Sequence, residues 1–195
     1  LLGAAVLHES GTTHGRLAFP TNHPLSTLGL PLWSPDVRDR LENHDVILVV
    51  GMDLLRQYIY HEPARAIPES TKLVQLDEDP WQLGKNYPLE VGLIGDTKTG
   101  LAELSNILTE VQNEEQRDQA SERLKHYSQV HAAAREKLRE QISAEADARP
   151  MTPLTFMNAL AHVLPDDIAV VEEAVTTTNT TLERLGAIRN TTGYF

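Results

Sequence analysis

Five consecutive apolar residues, Val46 to Val50, constrain the fold of this chain more than any other segment. They lie in the stretch HDVILVVG, which Gly51 ends. A short run of this kind predicts a strand that is covered on both faces, as in a parallel sheet. Lys72–Asp77 and Glu90–Gly95 are predicted as further strands, and helical stretches alternate with them. The pattern therefore predicts an α/β fold with a Rossmann-like parallel sheet and right-handed crossovers.

Helix-start signals delimit the helical stretches. Ser34-Pro35-Asp36 combines an N-cap, a proline at the first helical position and an early acid, so a helix to about Asn43 is predicted. Asp96 or Thr97 is predicted to cap a second helix, which runs to about Val111. Its inward-facing residues are predicted to be Leu101, Leu104 and Leu108. Gly3–His8 is predicted to be a strand or a helix end running into one, and 11–35 a long loop.

The composition restricts the partners that this chain can have. Its formal net charge of −11 argues against nucleic acid, which needs a basic face, and against an anionic membrane surface. No apolar run approaches the roughly 20 residues that span a membrane. The chain has no cysteine, which excludes disulfides and thiolate metal sites and favours a cytoplasmic location.

A long charged helix is predicted after Glu110. Gln112–Arg149 contains no glycine or proline and is rich in helix-forming residues. Its apolar seam recurs every three or four residues and consists of Ala120, Leu124, Tyr127, His131, Ala134, Leu138 and Ile142. Such a helix is either a linker that lies on its own domain or a coiled-coil contact with another copy.

The last 45 residues predict the beginning of a second α/β unit. Pro150 ends the long helix, and Thr152-Pro153 starts another. Ile168–Val171 is predicted to be a strand, and a second helix follows the threonine-rich turn after it. The inward residues of the first helix are predicted to be Leu154, Phe156, Met157, Leu160 and Ala161.

Three stretches are candidates for ligand chemistry. Gly51-Met52-Asp53 and Asp77-Glu78-Asp79 follow predicted strands, at the sheet edge where α/β proteins bind ligands. A plain turn is the preferred interpretation of both, although the carboxylates of Asp77-Glu78-Asp79 could hold ribose hydroxyls or Mg²⁺. The third stretch, 176–181, offers hydroxyl groups beside a helix N-terminus. It either binds an anion such as phosphate or only caps the helix. The histidines are not spaced as a metal site, so none is predicted.

Three segments together resemble the thiamine-diphosphate-dependent 2-oxoacid decarboxylases, with benzoylformate decarboxylases as the nearest branch. The segments are Phe19–Pro24 with Gly29–Pro31; His44–Gly51 with Leu76–Pro80, Gly84–Asn86 and Gly95-Asp96; and Glu172–Leu185 with Gly193–Phe195. The resemblance implies that 1–110 is a middle domain whose usual first strand and helix would lie before Leu1. It further implies that 111–150 is a helical linker and 151–195 the beginning of the diphosphate-binding domain.

The resemblance also implies a cofactor site. In this family, small hydroxyl residues after the strand contact the cofactor diphosphate, and Thr176 and Thr177 match them, with Glu173 just before. The activating glutamate and the Mg²⁺ motif of the family have no counterpart here, so no catalytic residue and no metal ligand is assigned. The parent protein is therefore expected to use thiamine diphosphate and Mg²⁺ on a small 2-oxoacid as a homo-oligomer. The chain alone is expected to be a catalytically inert fragment that binds no cofactor.

Two other functions remain open from the sequence. The middle domain holds FAD in acetolactate synthases and ADP in oxalyl-CoA decarboxylases, and the same topology binds NAD or FAD in sirtuin-like and electron-transfer flavoprotein domains. The segment Phe19–Pro31 looks more like the simple decarboxylases, so no bound nucleotide is predicted. A non-catalytic assembly domain that associates through the long helix is the other alternative.

Overall fold

The computed structural model describes residues 1–9, 19–31, 33–55, 65–171 and 181–189. The chain divides into two compact units. One unit comprises Leu1 and Leu30–Asn113, and the other comprises Leu2–Gly29 and Glu114–Phe195. The elements in chain order are β1 (Val6–His8), β2 (Ser26–Gly29), α1 (Ser34–Leu41), β3 (Val46–Val50), β4 (Lys72–Asp77), β5 (Val91–Ile94), α2 (Thr97–Val111), α3 (Glu114–Ala144), α4 (Pro153–Val163) and α5 (Thr181–Leu185).

A three-stranded parallel sheet, in the order β3-β4-β5, forms the centre of the first unit. All three strands were predicted, because their β-branched and apolar runs end at glycine or acidic turns. Val46 pairs with Lys72, and Val74 pairs with Val91, so the strands are in continuous register. With the helices around it, this sheet confirms the predicted α/β class.

The prediction that β3 is covered on both faces is wrong for one face. Val49 is 3% exposed, whereas Val46 is 50% exposed and Leu48 lies on the same open face. Helix α2 covers that face where Gly100 meets the side chain of Leu76 on β4. Side chains alternate between the two faces of a strand, so Val46 and Leu48 point to the same face. Helix α2 covers this face only near Leu76, which leaves Val46 and Leu48 exposed.

Helices α1 and α2 begin near the predicted positions. Pro35 stands in the first turn of α1, but the capping position is Trp33 rather than Ser34. Asp96 caps α2 by accepting a hydrogen bond from the Thr99 amide at 2.7 Å, as the sequence predicted. Leu101 is exposed, against the prediction that it faces inward.

The second unit contains a two-stranded parallel sheet, β1-β2, together with α3, α4 and α5. Strand β2 lies in the segment that was predicted to be a loop. Its pairing with β1 contains a register shift between Val6 and His8, and the short Ser-Thr-Leu-Gly sequence carries little apolar periodicity. Met157, Leu182 and Ile188 form the buried core that α4 and α5 share.

The long helix is confirmed as α3, although it ends at Ala144 rather than at Pro150, and its seam differs from the prediction. Ala120 and Leu138 are buried, and Tyr127, His131 and Ile142 are half-buried. Leu124 and Ala134 are exposed, and the half-buried residue at this turn of the helix is Arg135. A charged residue in the seam was missed because the prediction followed apolar side chains only.

Two details of the last segment differ from the prediction. Within 168–171, the described backbone forms a single bridge at Val170 and not a strand. Phe156 on α4 is exposed, whereas Met157 is buried. Thr152 caps α4 as predicted, because its hydroxyl accepts the Thr155 amide at 3.2 Å. None of the described helices is both long enough and apolar enough to cross a membrane.

Candidate functional site

The residues predicted to contact a diphosphate lie outside the described residues. Glu173, Thr176 and Thr177 fall within 172–180, and the description resumes at Thr181, the first residue of α5. Their predicted role therefore stays a prediction. Helix α5, which comes directly after this segment, is held by residues of β1, α3 and the turn around Thr21.

Helix α5 is short but deeply buried. Thr181, Leu182 and Glu183 are all buried, and Leu182 packs in the core cluster of the second unit. The helix ends at Gly186, whose φ of +65° is the left-handed conformation that favours glycine at this position. The Gly186 amide donates to Glu183 and the Ala187 amide donates to Leu182, so carbonyls at the end of the helix are satisfied.

Arg135 of α3 connects the end of α5 with a distant turn. Its Nη1 donates to the Leu185 carbonyl at 2.5 Å, and its Nη2 donates to the Thr21 carbonyl at 3.2 Å. Burial lowers the pKa of the guanidinium, with a smaller contribution from the charge of Arg139. A side chain at Gly186 would collide with this guanidinium, because its Cβ would lie 1.6 Å from Nη2.

The turn that contains Thr21 is held by several further hydrogen bonds. The Thr21 amide and hydroxyl both donate to the Ile188 carbonyl, at 3.1 and 2.9 Å. Nε2 of His131 lies 3.3 Å from the Thr21 carbonyl. The turn thus joins 185–188 and α3 in one partly buried hydrogen-bonded cluster, which we call the Thr21 cluster (Thr21, His131, Arg135, Leu185 and Ile188).

The imidazole of His23 lies on the exposed side of the same turn. His23 accepts a hydrogen bond from the Leu25 amide at its Nδ1, 3.1 Å away, so the neutral ring carries its proton on Nε2. The ring also makes an edge contact with Phe19, with 4.9 Å between the centroids. The orientation of this ring is therefore set by local contacts, whereas the turn itself is held by residues distant in sequence.

A buried carboxylate anchors α5 on its other side. Oε2 of Glu183 lies 3.1 Å from Nε2 of His8, at the end of β1. The two groups are not aligned as a hydrogen bond, so the contact is an ion pair when His8 is protonated. Gly29 leaves room for the ring, because a Cβ there would lie 3.0 Å from Nε2.

The aspartates of the acidic turn after β4 accept hydrogen bonds from the backbone of that same turn. Oδ1 of Asp77 accepts the Asp79 amide, and Oδ1 of Asp79 accepts the Trp81 amide, each at 2.9 Å. Asp77 is buried and Glu78 is exposed. One oxygen of each aspartate is therefore committed to the turn, which favours the interpretation as a turn over that as a ribose or Mg²⁺ site.

The turn after β3 is also shaped by close contacts. Gly51 has a φ of +57° and lies against the side chain of Thr97, at the start of α2. The Leu54 carbonyl accepts a hydrogen bond from Asn86 at 2.8 Å. Within the ranges that the structure describes, no three His, Cys, Asp or Glu side chains are grouped as metal ligands.

The fold agrees with the family that the chain matches. Residues 2–104 match the family described as thiamine pyrophosphate enzyme, central domain, which is more than half of the chain. The chain therefore belongs to the thiamine pyrophosphate enzymes and contains their central domain. The predicted resemblance to this family is confirmed.

Among individual relatives, benzoylformate decarboxylases recur. The chain is 26% identical to benzoylformate decarboxylase from Pseudomonas aeruginosa over 185 residues, which is 92% of this chain and 30% of that protein. The crystal structure of benzoylformate decarboxylase from Polynucleobacter necessarius matches with a TM-score of 0.68 at 20% identity, covering 98% of this chain and 32% of that one. The 4-hydroxybenzoylformate decarboxylase of Rhodococcus jostii RHA1 matches with a TM-score of 0.60 at 19% identity, covering 96% and 31%.

These relatives are much longer than the chain. The chain spans 30% of the length of the Pseudomonas aeruginosa protein and about a third of the two solved structures. The structural matches show the fold, with its parallel sheets and helices.

Proposed function

We propose that this chain is part of a thiamine-diphosphate- and Mg²⁺-dependent 2-oxoacid decarboxylase of the benzoylformate decarboxylase type. The proposal rests on how much of the chain the sequence match covers. The family model ends at residue 104, whereas the likeness to the Pseudomonas aeruginosa enzyme extends over 92% of the chain. The match therefore includes the long helix and residues of the last segment, and not only a central domain that many enzymes share.

In this proposal the two parts of the chain have different roles. The central domain is a scaffold that binds no nucleotide, and the carboxylates of Asp77 and Asp79 support this, because each already caps its own turn. The last segment contributes to the cofactor site, where Thr176 and Thr177 hold the diphosphate and Glu173 lies beside them. Bound thiamine diphosphate would supply the electron sink for decarboxylation, and the protein would supply binding and orientation.

The proposal extends to the setting in which the enzyme works. Its substrate is a small 2-oxoacid, and the parent protein is a cytoplasmic homo-oligomer. The 195 residues alone are catalytically inert, because neither a cofactor-activating glutamate nor a Mg²⁺ motif is assigned in them. The domain limits of 1–110, 111–150 and 151–195 belong to the same proposal.

The test compares the full-length protein with the chain. Full-length protein with thiamine diphosphate and Mg²⁺ should release CO₂ from benzoylformate, and the 195-residue chain should not. Calorimetric titration of both with FAD, ADP and NAD should give no binding. Binding of FAD or ADP at micromolar concentration would instead identify the parent protein as an enzyme of the acetolactate synthase or oxalyl-CoA decarboxylase type. Binding of NAD, or decarboxylation by the chain alone, would refute the corresponding part of the proposal.

A further inference from the structure

The geometry points to Arg135 as a positioning residue for the proposed cofactor site, because its guanidinium fixes the end of α5 and the turn around Thr21 to one another. The guanidinium donates to the carbonyl of Leu185, the last residue of α5, and to the carbonyl of Thr21. This inference rests on the proposed function, because α5 directly follows the threonines proposed to hold the diphosphate.

The length of α5 makes its anchoring important. A helix of five residues has almost no stability of its own, so its position depends on the groups that hold its ends. The Gly186 and Ala187 amides bind the carbonyls of Glu183 and Leu182, and the Leu185 carbonyl accepts from Arg135 instead. A cation is favourable at this end of a helix. Arg135 supplies both a donor and a charge to this end of α5.

The chemistry of the contact requires arginine. Two carbonyls from segments more than 160 residues apart in sequence, Thr21 and Leu185, accept from two nitrogens of one planar group. A lysine has a single ammonium nitrogen on a flexible stem, and glutamine has a shorter side chain without charge. Neither can reproduce the fork that spans both carbonyls.

The backbone around the guanidinium is adapted to it. Gly186 adopts a φ of +65°, and the space beside its Cα is occupied by the guanidinium. The Thr21 amide and hydroxyl bind the Ile188 carbonyl, which follows soon after on the same segment. The turn and the end of α5 are therefore parts of one cluster, and loss of Arg135 should loosen both together.

The experiment uses the full-length protein with Arg135→Gln and Arg135→Lys. Arg139→Gln is the matched control, because Arg139 lies one turn further along α3, is exposed and forms its ion pair with Glu136 on the same helix. Amide hydrogen exchange is followed in peptides covering 19–25, 181–189 and α4, and thiamine diphosphate is titrated in the presence of Mg²⁺.

Arg135→Gln should raise exchange in 19–25 and 181–189 together, leave α4 protected and weaken thiamine diphosphate binding about tenfold. Arg135→Lys should give a smaller change of the same pattern, and Arg139→Gln should match the wild type. If Arg135→Gln does not fold, Arg135→Lys decides the matter by the same pattern of exchange.

Two results separate the inference from the proposed function. Arg135 variants with the exchange and affinity of Arg139→Gln would overturn the inference while the wild type still binds the cofactor. A wild type that binds no thiamine diphosphate would refute the proposed cofactor role of the chain. In that case the expected effect of Arg135 on cofactor binding would also be refuted. Increased exchange in both 19–25 and 181–189 would still show that Arg135 anchors these two segments to one another.

Discussion

The imidazole of His8 and the carboxylate of Glu183 approach to 3.1 Å, although 174 positions separate them in the sequence. Glu183 has a side chain that is 5% exposed, and His8 is 20% exposed. A carboxylate that is taken out of water needs a partner, and His8 at the end of β1 is the partner found within the described residues. The contact attaches α5 to the two-stranded sheet of the same unit.

Replacing His8 with alanine should lower the free energy of unfolding by about 2 kcal/mol, because it leaves the buried Glu183 carboxylate without its polar neighbour. Adding Glu183→Gln to that variant should recover part of the loss, since the stranded charge is then removed. Urea denaturation of the two single variants and the double variant gives the coupling between the residues.

The exposed pair Lys125 and Glu122 is the control for this cycle. Its side chains are both more than half exposed, so Lys125→Ala should cost at most about 1 kcal/mol. Equal costs for His8→Ala and Lys125→Ala would show that the contact at Glu183 contributes no more than a surface pair.

Gly186→Ala should be strongly destabilising for two physical reasons. The new side chain would need a left-handed backbone, and it would overlap the guanidinium of Arg135. A loss of about 2 kcal/mol or more is expected from thermal or urea unfolding. Gly95→Ala is the control, because no atom lies within 4 Å of its added Cβ. Similar losses in both variants would contradict the close approach at Gly186.

Leu73→Ala should cost about 3 kcal/mol of unfolding free energy, because the side chain is 2% exposed and its removal leaves a cavity. Leu93→Ala, on strand β5 and on the opposite face of the sheet, removes the same atoms from a residue that is 45% exposed. Its cost should stay below about 1 kcal/mol. Chemical denaturation of both variants tests which face of the sheet carries the core, and a reversed order would show that the faces are wrongly assigned.

Asp96 should make the stability of the first unit depend on pH in the acid range. The hydroxyl and the amide of Thr99 hydrogen-bond its carboxylate and hold its pKa below the ordinary value. Because the folded-state pKa is the lower one, the stabilisation is complete above the unfolded-state pKa and is lost as the pH falls through the folded-state pKa. Asp96→Asn keeps a capping oxygen but cannot titrate.

The measurement for Asp96 is urea unfolding of wild type and Asp96→Asn at neutral and acid pH. The wild type should be the more stable at neutral pH, and the difference should disappear once the carboxylate is protonated. A difference that is independent of pH would show that the charge of Asp96 does not contribute to the cap.

Most of the fold could be predicted because its signals are local. The strand at Val46–Val50 and the cap at Asp96 follow from apolar runs and from side-chain chemistry within a few residues. Strand β2 could not be predicted in this way. It is a four-residue strand whose pairing with β1 depends on a contact distant in sequence, and its residues carry no alternation.

The contacts around α5 were harder to predict than the fold. The ring of His8 meets Glu183 only after the chain has folded, and nothing near either residue indicates the pair. Arg135 occupies a position in the seam of α3 where an apolar residue was expected. Its guanidinium donates hydrogen bonds to two carbonyls there, which an apolar side chain could not do. Gly186 did carry a usable signal, since a glycine after Leu-Glu-Arg-Leu marks a helix end.

The arrangement of β3 affects how this chain has to be handled. In the described sheet β3 is an outer strand, paired with β4 on one side, yet its five residues are all apolar. Outer strands of this kind act as templates that recruit copies of themselves, and charged residues normally prevent this. Preparations of the isolated chain should therefore become turbid as they are concentrated, and any unfolding midpoint should be checked at several dilutions before it is interpreted as a property of the monomer.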